Sequence, residues 1–202
     1  GVSEYRSNGE RGRARHRYTD TPLLRYTKEG GRASHRYTDT PIHRYTDSGG
    51  FRVAGGAGIL EFSGANNPLY IVRKGIANLN ITNTGNIEYY GEDLAVFNPD
   101  KQPIGYEQGK GGNFTKHQIQ LQKGDVIYIF SDGYADQLGG DRCKKFGYNR
   151  FRQLLTDISD KNMEEQKQIL DKTIEAWKDH IDPYNDKPLE QMDDILVMGM
   201  RF

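Results

Sequence analysis

The sequence lacks several features on which whole classes of protein depend. Its 202 residues include one cysteine, Cys143, which excludes an internal disulfide and a cysteine-rich zinc or iron–sulfur site. No run of about 18 apolar residues is present, so no segment is expected to span a bilayer or to act as a signal peptide. The 28 Lys and Arg balance 28 Asp and Glu, which gives no overall attraction to nucleic acid or an anionic membrane. These absences favour a cytoplasmic protein without a nucleic-acid partner.

The balanced charge hides two parts of opposite sign. Residues 1–57 hold 11 Lys and Arg against 6 Asp and Glu, a net charge of +5, whereas residues 58–202 hold 17 against 22, a net charge of −5. The first part contains only six Ile, Leu, Val or Phe residues, too few to bury a core of its own. We therefore expect order to begin near Ile59 and residues 1–57 to be an irregular leader.

The leader also repeats itself. The sequence His-Arg-Tyr-Thr-Asp-Thr-Pro of residues 16–22 recurs at 35–41, and twelve positions are identical between the copies 16–34 and 35–53. Arginine and tyrosine interleaved in this way would suit the clamping of single-stranded nucleic acid by charge and stacking. The other interpretation is a disordered, basic, low-complexity tail, or sequence foreign to the domain that follows. We favour the second because no folded nucleic-acid motif accompanies the repeat.

From residue 59 onward the pattern is that of a folded domain. Alternating or continuous apolar runs predict strands, apolar residues at helical spacing predict two late helices, and turn-forming residues predict a long loop. The predicted strands are 59–62, 69–72, 77–81, 87–90, 117–122, 126–130 and 195–200, the loop is 100–112, and the helices lie around 151–158 and 163–181. Many strands without βαβ alternation favour an α+β fold with a largely antiparallel sheet.

Acidic residues lie at the ends of two of these strands. Asp132, within Ser-Asp-Gly, follows the apolar strand 126–130, and Asp193 and Asp194 precede the last strand. If the two strands are antiparallel neighbours, these acids meet at one edge of the sheet. Carboxylates that converge without a nearby Lys or Arg repel each other unless a cation neutralises them, and hard oxygen ligands favour magnesium or manganese. Ordinary strand-end turns have the same composition, so spacing alone leaves both interpretations open.

The same residues carry a family resemblance. Residues 130–136, Phe-Ser-Asp-Gly-Tyr-Ala-Asp, and 192–197, Met-Asp-Asp-Ile-Leu-Val, resemble the two C-terminal metal motifs of the metal-dependent protein serine/threonine phosphatases, the PPM family. The most similar subgroup is the SpoIIE-like phosphatases of bacteria. Residues 60–70 resemble that subgroup's strand and loop, with Asn66 where many members have His. The resemblance extends over residues 58–202.

The resemblance implies a fold, an activity and a set of site residues. The implied fold is an α-β-β-α sandwich of two mainly antiparallel sheets, incomplete here at its N-terminal side. Asp132 and Asp193 would ligate metal in a centre for two Mn²⁺ or Mg²⁺ ions, with Gly133, Asp136 and Asp194 in support. The reaction would be removal of phosphate from phosphoserine or phosphothreonine by metal-activated water, without a catalytic side chain. The substrate would be a bacterial regulatory protein, such as an anti-sigma factor antagonist, and a sensor domain would precede the phosphatase.

One motif of the family is missing. Members begin with an Asp-Gly strand, in this subgroup within Asp-x-x-Gly-His-Gly, and that Asp bridges both metals; residues 1–57 contain no such sequence. We interpret residues 58–202 as the C-terminal part of a SpoIIE-like domain, preceded by an unrelated leader. The alternative function is that of a non-catalytic fragment or regulatory interaction module with the same fold.

Overall fold

Strands outnumber helices in the described chain. The architecture is that of a computed structural model, which describes residues 23–29, 32–33, 50–54, 58–76, 81–82, 86–102, 113–181 and 189–202. The strands are β1 Leu23–Glu29, β2 Arg32–Ala33, β3 Gly50–Ala54, β4 Ile59–Ser63, β5 Leu69–Val72, β6 Ile81–Thr82, β7 Ile87–Tyr90, β8 Leu94–Phe97, β9 His117–Gln120, β10 Val126–Phe130, β11 Leu138–Gly139, β12 Lys144–Lys145 and β13 Ile195–Arg201. The helices are α1 Gly133–Asp136, α2 Tyr148–Asp157 and α3 Met163–Lys178.

The strands form two sheets and a hairpin. The larger sheet has the order β2-β1-β13-β10-β5-β8-β7, the smaller has the order β3-β4-β9-β6, and β11 pairs with β12. Neighbouring strands are antiparallel in each of these pairings. The predicted α+β fold with mainly antiparallel sheets is confirmed.

Each face of the larger sheet covers a separate core. Between the two sheets, one cluster joins side chains of β4 and β9 to those of β5, β8 and β10; its buried members are Leu60, Phe62, Leu69, Ile71, Ile76, Ala95, Phe97, Ile119, Leu121 and Ile127. On the opposite face, residues of the same central strands pack against all three helices, with Tyr128, Phe151 and Leu170 among the buried members. This arrangement explains why every residue of β5 and β8 is buried, as in a strand covered on both faces.

The helices follow the predicted apolar pattern closely. Phe151 and Leu155 of α2 and Leu170 and Ile174 of α3 are buried against the larger sheet. Helix α3 ends at Lys178, earlier than the predicted 181, because the backbone of Asp179 leaves the helical conformation there, with a ψ of 56°. None of the helices in the described ranges is long and apolar enough to cross a membrane.

The expectation of an irregular leader is wrong for three segments. Strand β1 pairs with β13 from Leu23 opposite Met200 to Lys28 opposite Ile195, and β3 pairs with β4. Joining a sheet requires backbone N–H and C=O groups rather than apolar side chains, so the low count of apolar residues did not exclude it. That residues 1–57 are foreign to the domain stays a prediction, and the rest of the leader, residues 77–80 and loop residues 103–112 lie outside the described residues.

The start of α3 provides a stability prediction. The Asn162 side chain accepts from the Glu165 N–H at 2.9 Å, and Glu165 Oε2 accepts from the Asn162 N–H at 3.2 Å, a capping box. We expect Asn162→Ala to lower the free energy of unfolding by about 1 kcal/mol, because it removes the cap. Urea denaturation measures the change. Asp160→Ala, at an exposed position, is the control, and an equal loss in both variants would contradict the capping role.

Candidate functional site

The ends of β10 and β13 lie at one edge of the larger sheet. The two strands are antiparallel neighbours, with Phe130 at the end of β10 opposite Val197 near the start of β13. Asp132 follows the first strand by two residues, and Asp193 and Asp194 directly precede the second. The structure therefore brings the Ser-Asp-Gly and Asp-Asp segments to the same edge.

Ser131 joins the two segments by hydrogen bonds. Its N–H donates to the Leu196 carbonyl at 3.0 Å, which extends the β10–β13 ladder. Its hydroxyl donates to the Asp194 carbonyl at 2.7 Å and accepts from the Leu196 N–H at 3.0 Å. A hydroxyl that both donates and accepts fixes the start of β13 against the end of β10.

Gly133 allows the two segments to lie in close contact. A Cβ at this position would lie 2.5 Å from the Asp194 carbonyl oxygen and 3.4 Å from that of Asp193. Both neighbours are backbone atoms, so they have no alternative rotamer. The glycine therefore lets the first turn of α1 rest directly on the Asp-Asp backbone.

The three acids nearest this contact have exposed side chains. Asp132 is the N-cap residue of α1, and Asp193 and Asp194 lie on the opposite strand end. One oxygen of Asp193 accepts the Asp194 N–H at 2.7 Å, which orients the Asp193 carboxylate. These side chains are open to solvent and are available for a cation.

Asp136, the fourth predicted acid, has a cationic partner. Its Oδ2 lies 2.9 Å from Lys145 Nζ, and both side chains are partly exposed. The sequence pattern predicts acids that converge without a nearby Lys or Arg, and for Asp136 that prediction is wrong. The hairpin of β11 and β12 brings Lys145 back toward α1, an approach that depends on the fold of the hairpin and not on a recognisable spacing of the two residues.

Tyr148 lies in the electrostatic field of these acids. The Gly147 N–H donates to the Ala135 carbonyl at 2.7 Å, which holds the start of α2 beside α1. Partial burial raises the pKa of the Tyr148 phenol, and the negative charges of Asp132 and Asp136 raise it further. The phenol therefore reports on the charge at this edge.

We expect Asp132→Asn to lower the Tyr148 pKa while leaving it above the ordinary tyrosine value. Removing a nearby negative charge makes the phenolate easier to form, whereas the burial that opposes ionisation is unchanged. A pH titration followed by NMR of ¹³C-labelled tyrosine measures the change. A Tyr148 pKa unaffected by Asp132→Asn would show that the two groups do not interact.

The set of oxygen donors fits one hard cation better than two. In the described ranges, no group of three or more His, Cys, Asp or Glu residues is arranged to hold a metal. Asp132 and Asp193 offer two exposed carboxylates at one edge, and magnesium is commonly bound by one or two carboxylates while it retains several waters. These residues therefore suit a single hydrated Mg²⁺ or Mn²⁺, and a second ion requires further ligands.

Comparison with known proteins connects this site to a family. Residues 89–202 match the family model of stage II sporulation protein E, SpoIIE. Among solved structures, the chain is similar to the SiaA-PP2C domain of Pseudomonas aeruginosa, with 24% identity, a TM-score of 0.53, and coverage of 72% of this chain and 47% of that one. It is also similar to the PP2C phosphatase domain of SpoIIE from Bacillus subtilis, with 15% identity, a TM-score of 0.44, and coverage of 71% and 33%. No curated protein matches the chain.

These comparisons have two consequences. The first similarity shows the PP2C-like sandwich fold, and the family match includes both acidic segments. The chain spans about half the length of the SiaA chain and a third of the SpoIIE chain. The chain therefore corresponds to only part of each of these neighbours, and the family match over residues 89–202 contains the edge described above.

Proposed function

The chain belongs to the SpoIIE family, and on that basis we propose that it is the metal-binding C-terminal part of a phosphatase that acts on phosphoserine or phosphothreonine. The two acidic segments support the proposal most directly. Ser131 and Gly133 hold the Asp-Asp segment against the Ser-Asp-Gly segment, so Asp132 and Asp193 share one exposed edge. This arrangement supports roles for both acids as metal ligands.

Each residue of the edge has a distinct proposed role. Asp132 and Asp193 hold a Mn²⁺ or Mg²⁺ ion, and Gly133 permits its own backbone to lie against the carbonyl of Asp194. Asp194 supports Asp193 through its N–H, which donates to the Asp193 carboxylate. Asp136, paired with Lys145, supports the edge from α1. When bound, ions of this kind make coordinated water more acidic and direct it toward phosphorus.

The proposed substrate is a phosphorylated regulatory protein. The exposure of Asp132 and Asp193 suits a phosphoryl group presented on the surface of another protein rather than a small molecule enclosed in a cavity. An anti-sigma factor antagonist in the bacterial cytoplasm is one protein of this kind. A sensor domain upstream would couple the activity to a signal.

A second function is favoured by the number of ligands. Because the described residues provide no cluster of three or more metal-binding side chains, the same fold would also suit a non-catalytic module that binds a regulatory partner. The two functions differ in phosphate release, since a binding module retains the phosphoprotein unchanged.

Phosphate release from a phosphoserine peptide in millimolar Mn²⁺ separates the two functions. We expect turnover by a longer gene product that includes the family's first Asp-Gly strand, and turnover at or near background by the 202-residue chain. Two-metal hydrolysis requires both ions, whereas Asp132 and Asp193 suffice for one. No turnover by the longer product would favour the binding module. Robust turnover by this chain, abolished by Asp132→Ala, would show that residues 1–57 supply a further ligand.

A further inference from the structure

A buried glutamine, Gln137, also joins the two acidic segments. Gln137 is the C-cap residue of α1, five residues after Asp132, and its side chain is fully buried. Its Nε2 donates to the Glu190 carbonyl at 3.0 Å and to the Leu138 carbonyl at 3.1 Å. Its Oε1 accepts from the Met192 N–H at 3.3 Å. Both ends of the amide are therefore bonded, and two of the bonds reach the segment just before Asp193.

That segment has no regular structure of its own. Residues 189–194 belong to neither a helix nor a strand, so no ladder of backbone hydrogen bonds fixes their course. Gln137 bonds it at residues 190 and 192, and Ser131 and Gly133 contact it at residue 194. Asp193 lies between these two attachments. Its position relative to Asp132 therefore depends on both.

The backbone of Gln137 is itself fixed to two other elements. Its carbonyl accepts from the Phe146 N–H at 2.8 Å and from Trp177 Nε1 at 3.1 Å. The first contact comes from the segment that follows β12, and the second comes from the end of α3. Because the Gln137 backbone is fixed in this way, its side chain has little freedom to move together with residues 190–192. If the segment moved, the buried side-chain amide of Gln137 would lose its partners at residues 190 and 192, and leaving a buried amide without hydrogen bonds is unfavourable.

We propose that Gln137 is a positioning residue that holds residues 190–192 so that the Asp193 carboxylate faces Asp132. The proposal rests on the proposed metal-binding function and extends it by a residue outside the acidic motifs. Gln137 acts through the backbone before Asp193 and contacts neither metal nor substrate. Loss of a hydrogen bond to a metal ligand itself commonly lowers metal affinity about 10- to 100-fold; because Gln137 acts on the backbone before the ligand, we expect an effect near the lower end of that range.

Replacement of Gln137 by Met, which is similar in size and cannot form these bonds, tests the proposal. The matched control is Gln166→Met, because Gln166 is also fully buried and bonded at both ends, to the Tyr128 hydroxyl and the Lys161 carbonyl. Mn²⁺ affinity of the 202-residue chain is measured by electron paramagnetic resonance. We expect about a tenfold or larger loss for Gln137→Met and less than about a twofold change for Gln166→Met. Equal losses, or no loss for Gln137→Met, would overturn the proposal.

Hydrogen exchange gives a readout that needs no metal. Gln137→Met should speed exchange of the Met192 N–H, whose acceptor is removed, and of the Asp194 N–H, whereas Gln166→Met should leave both unchanged. If Gln137→Met fails to fold, Gln137→Asn serves instead, since the shorter amide adds no buried charge and no longer reaches residues 190 and 192; its Mn²⁺ affinity should still fall. Failure of the unchanged chain to bind Mn²⁺ would contradict the metal assignment, and the exchange rates would still decide the role of Gln137.

Discussion

Replacement of Asp132 by Asn should remove most of the metal binding at the edge of the sheet. The side chain keeps its size and loses the charge that a divalent cation requires. Loss of an outer-shell partner alone costs up to about 100-fold in metal affinity or activity, so loss of a direct ligand should cost more. We expect at least about a 100-fold loss of Mn²⁺ affinity in this chain, measured by electron paramagnetic resonance, and a similar loss of turnover in a longer, active product.

The control for this prediction is Asp157→Asn. Asp157 is also an exposed carboxylate, at the opposite end of α2 from Tyr148, about 14 Å along the helix axis. Its carboxylate accepts a hydrogen bond from the Gln153 side chain at 2.7 Å. The same chemical change there should leave Mn²⁺ affinity unchanged. Equal Mn²⁺ binding by the Asp132→Asn variant and the unchanged chain would exclude Asp132 as a ligand.

Replacement of Gly133 by Ala should separate the two acidic segments. The added methyl group would lie 2.5 Å from the Asp194 carbonyl oxygen and 3.0 Å from its carbon, which is closer than contact distance. Overpacking of this kind costs typically about 1–3 kcal/mol, and we expect the upper part of that range because the neighbours are backbone atoms. Chemical denaturation measures the loss of stability, and Mn²⁺ affinity should fall along with it.

Gly91→Ala is the matched control for this loss. Gly91 has a φ of +62° and no atom within 4 Å of an added Cβ, so its cost is the strain of a left-handed residue, about 1 kcal/mol. Gly91 lies in the β7–β8 turn, at the end of the sheet away from Asp132. Mn²⁺ affinity should therefore be unchanged in Gly91→Ala. A stable Gly133→Ala variant with unaltered Mn²⁺ affinity would contradict the close contact.

The sequence alone determined the central strand, the two longer helices and the family. The unbroken apolar run 126–130 predicted a strand buried on both faces, and β10 has the same bounds and pairs with strands on both sides. The apolar spacing of α2 and α3 predicted their buried faces, and the acidic motifs predicted the family. These features depend on residues close together in the chain, so a periodicity or a short motif contains the necessary information.

The sequence pattern did not predict β1 or α1, which both depend on contacts with other parts of the fold. Strand β1 lies in a part of the sequence with too few apolar residues for a core, and it forms because the edge of β13 pairs with its backbone. The four-residue helix α1 is too short to show a helical period. Both exist because of contacts made elsewhere in the fold.

Only the tertiary structure decided how the site is assembled. Lys145 reaches Asp136 because the β11–β12 hairpin folds back toward α1, and Gln137 reaches residues 190–192 across more than fifty positions of sequence. Nothing in the identity of a lone lysine or glutamine predicts such a partner. Hydrogen bonds and ion pairs act over a few ångströms in space, and which groups come within that distance is fixed only when the sheets and helices have packed.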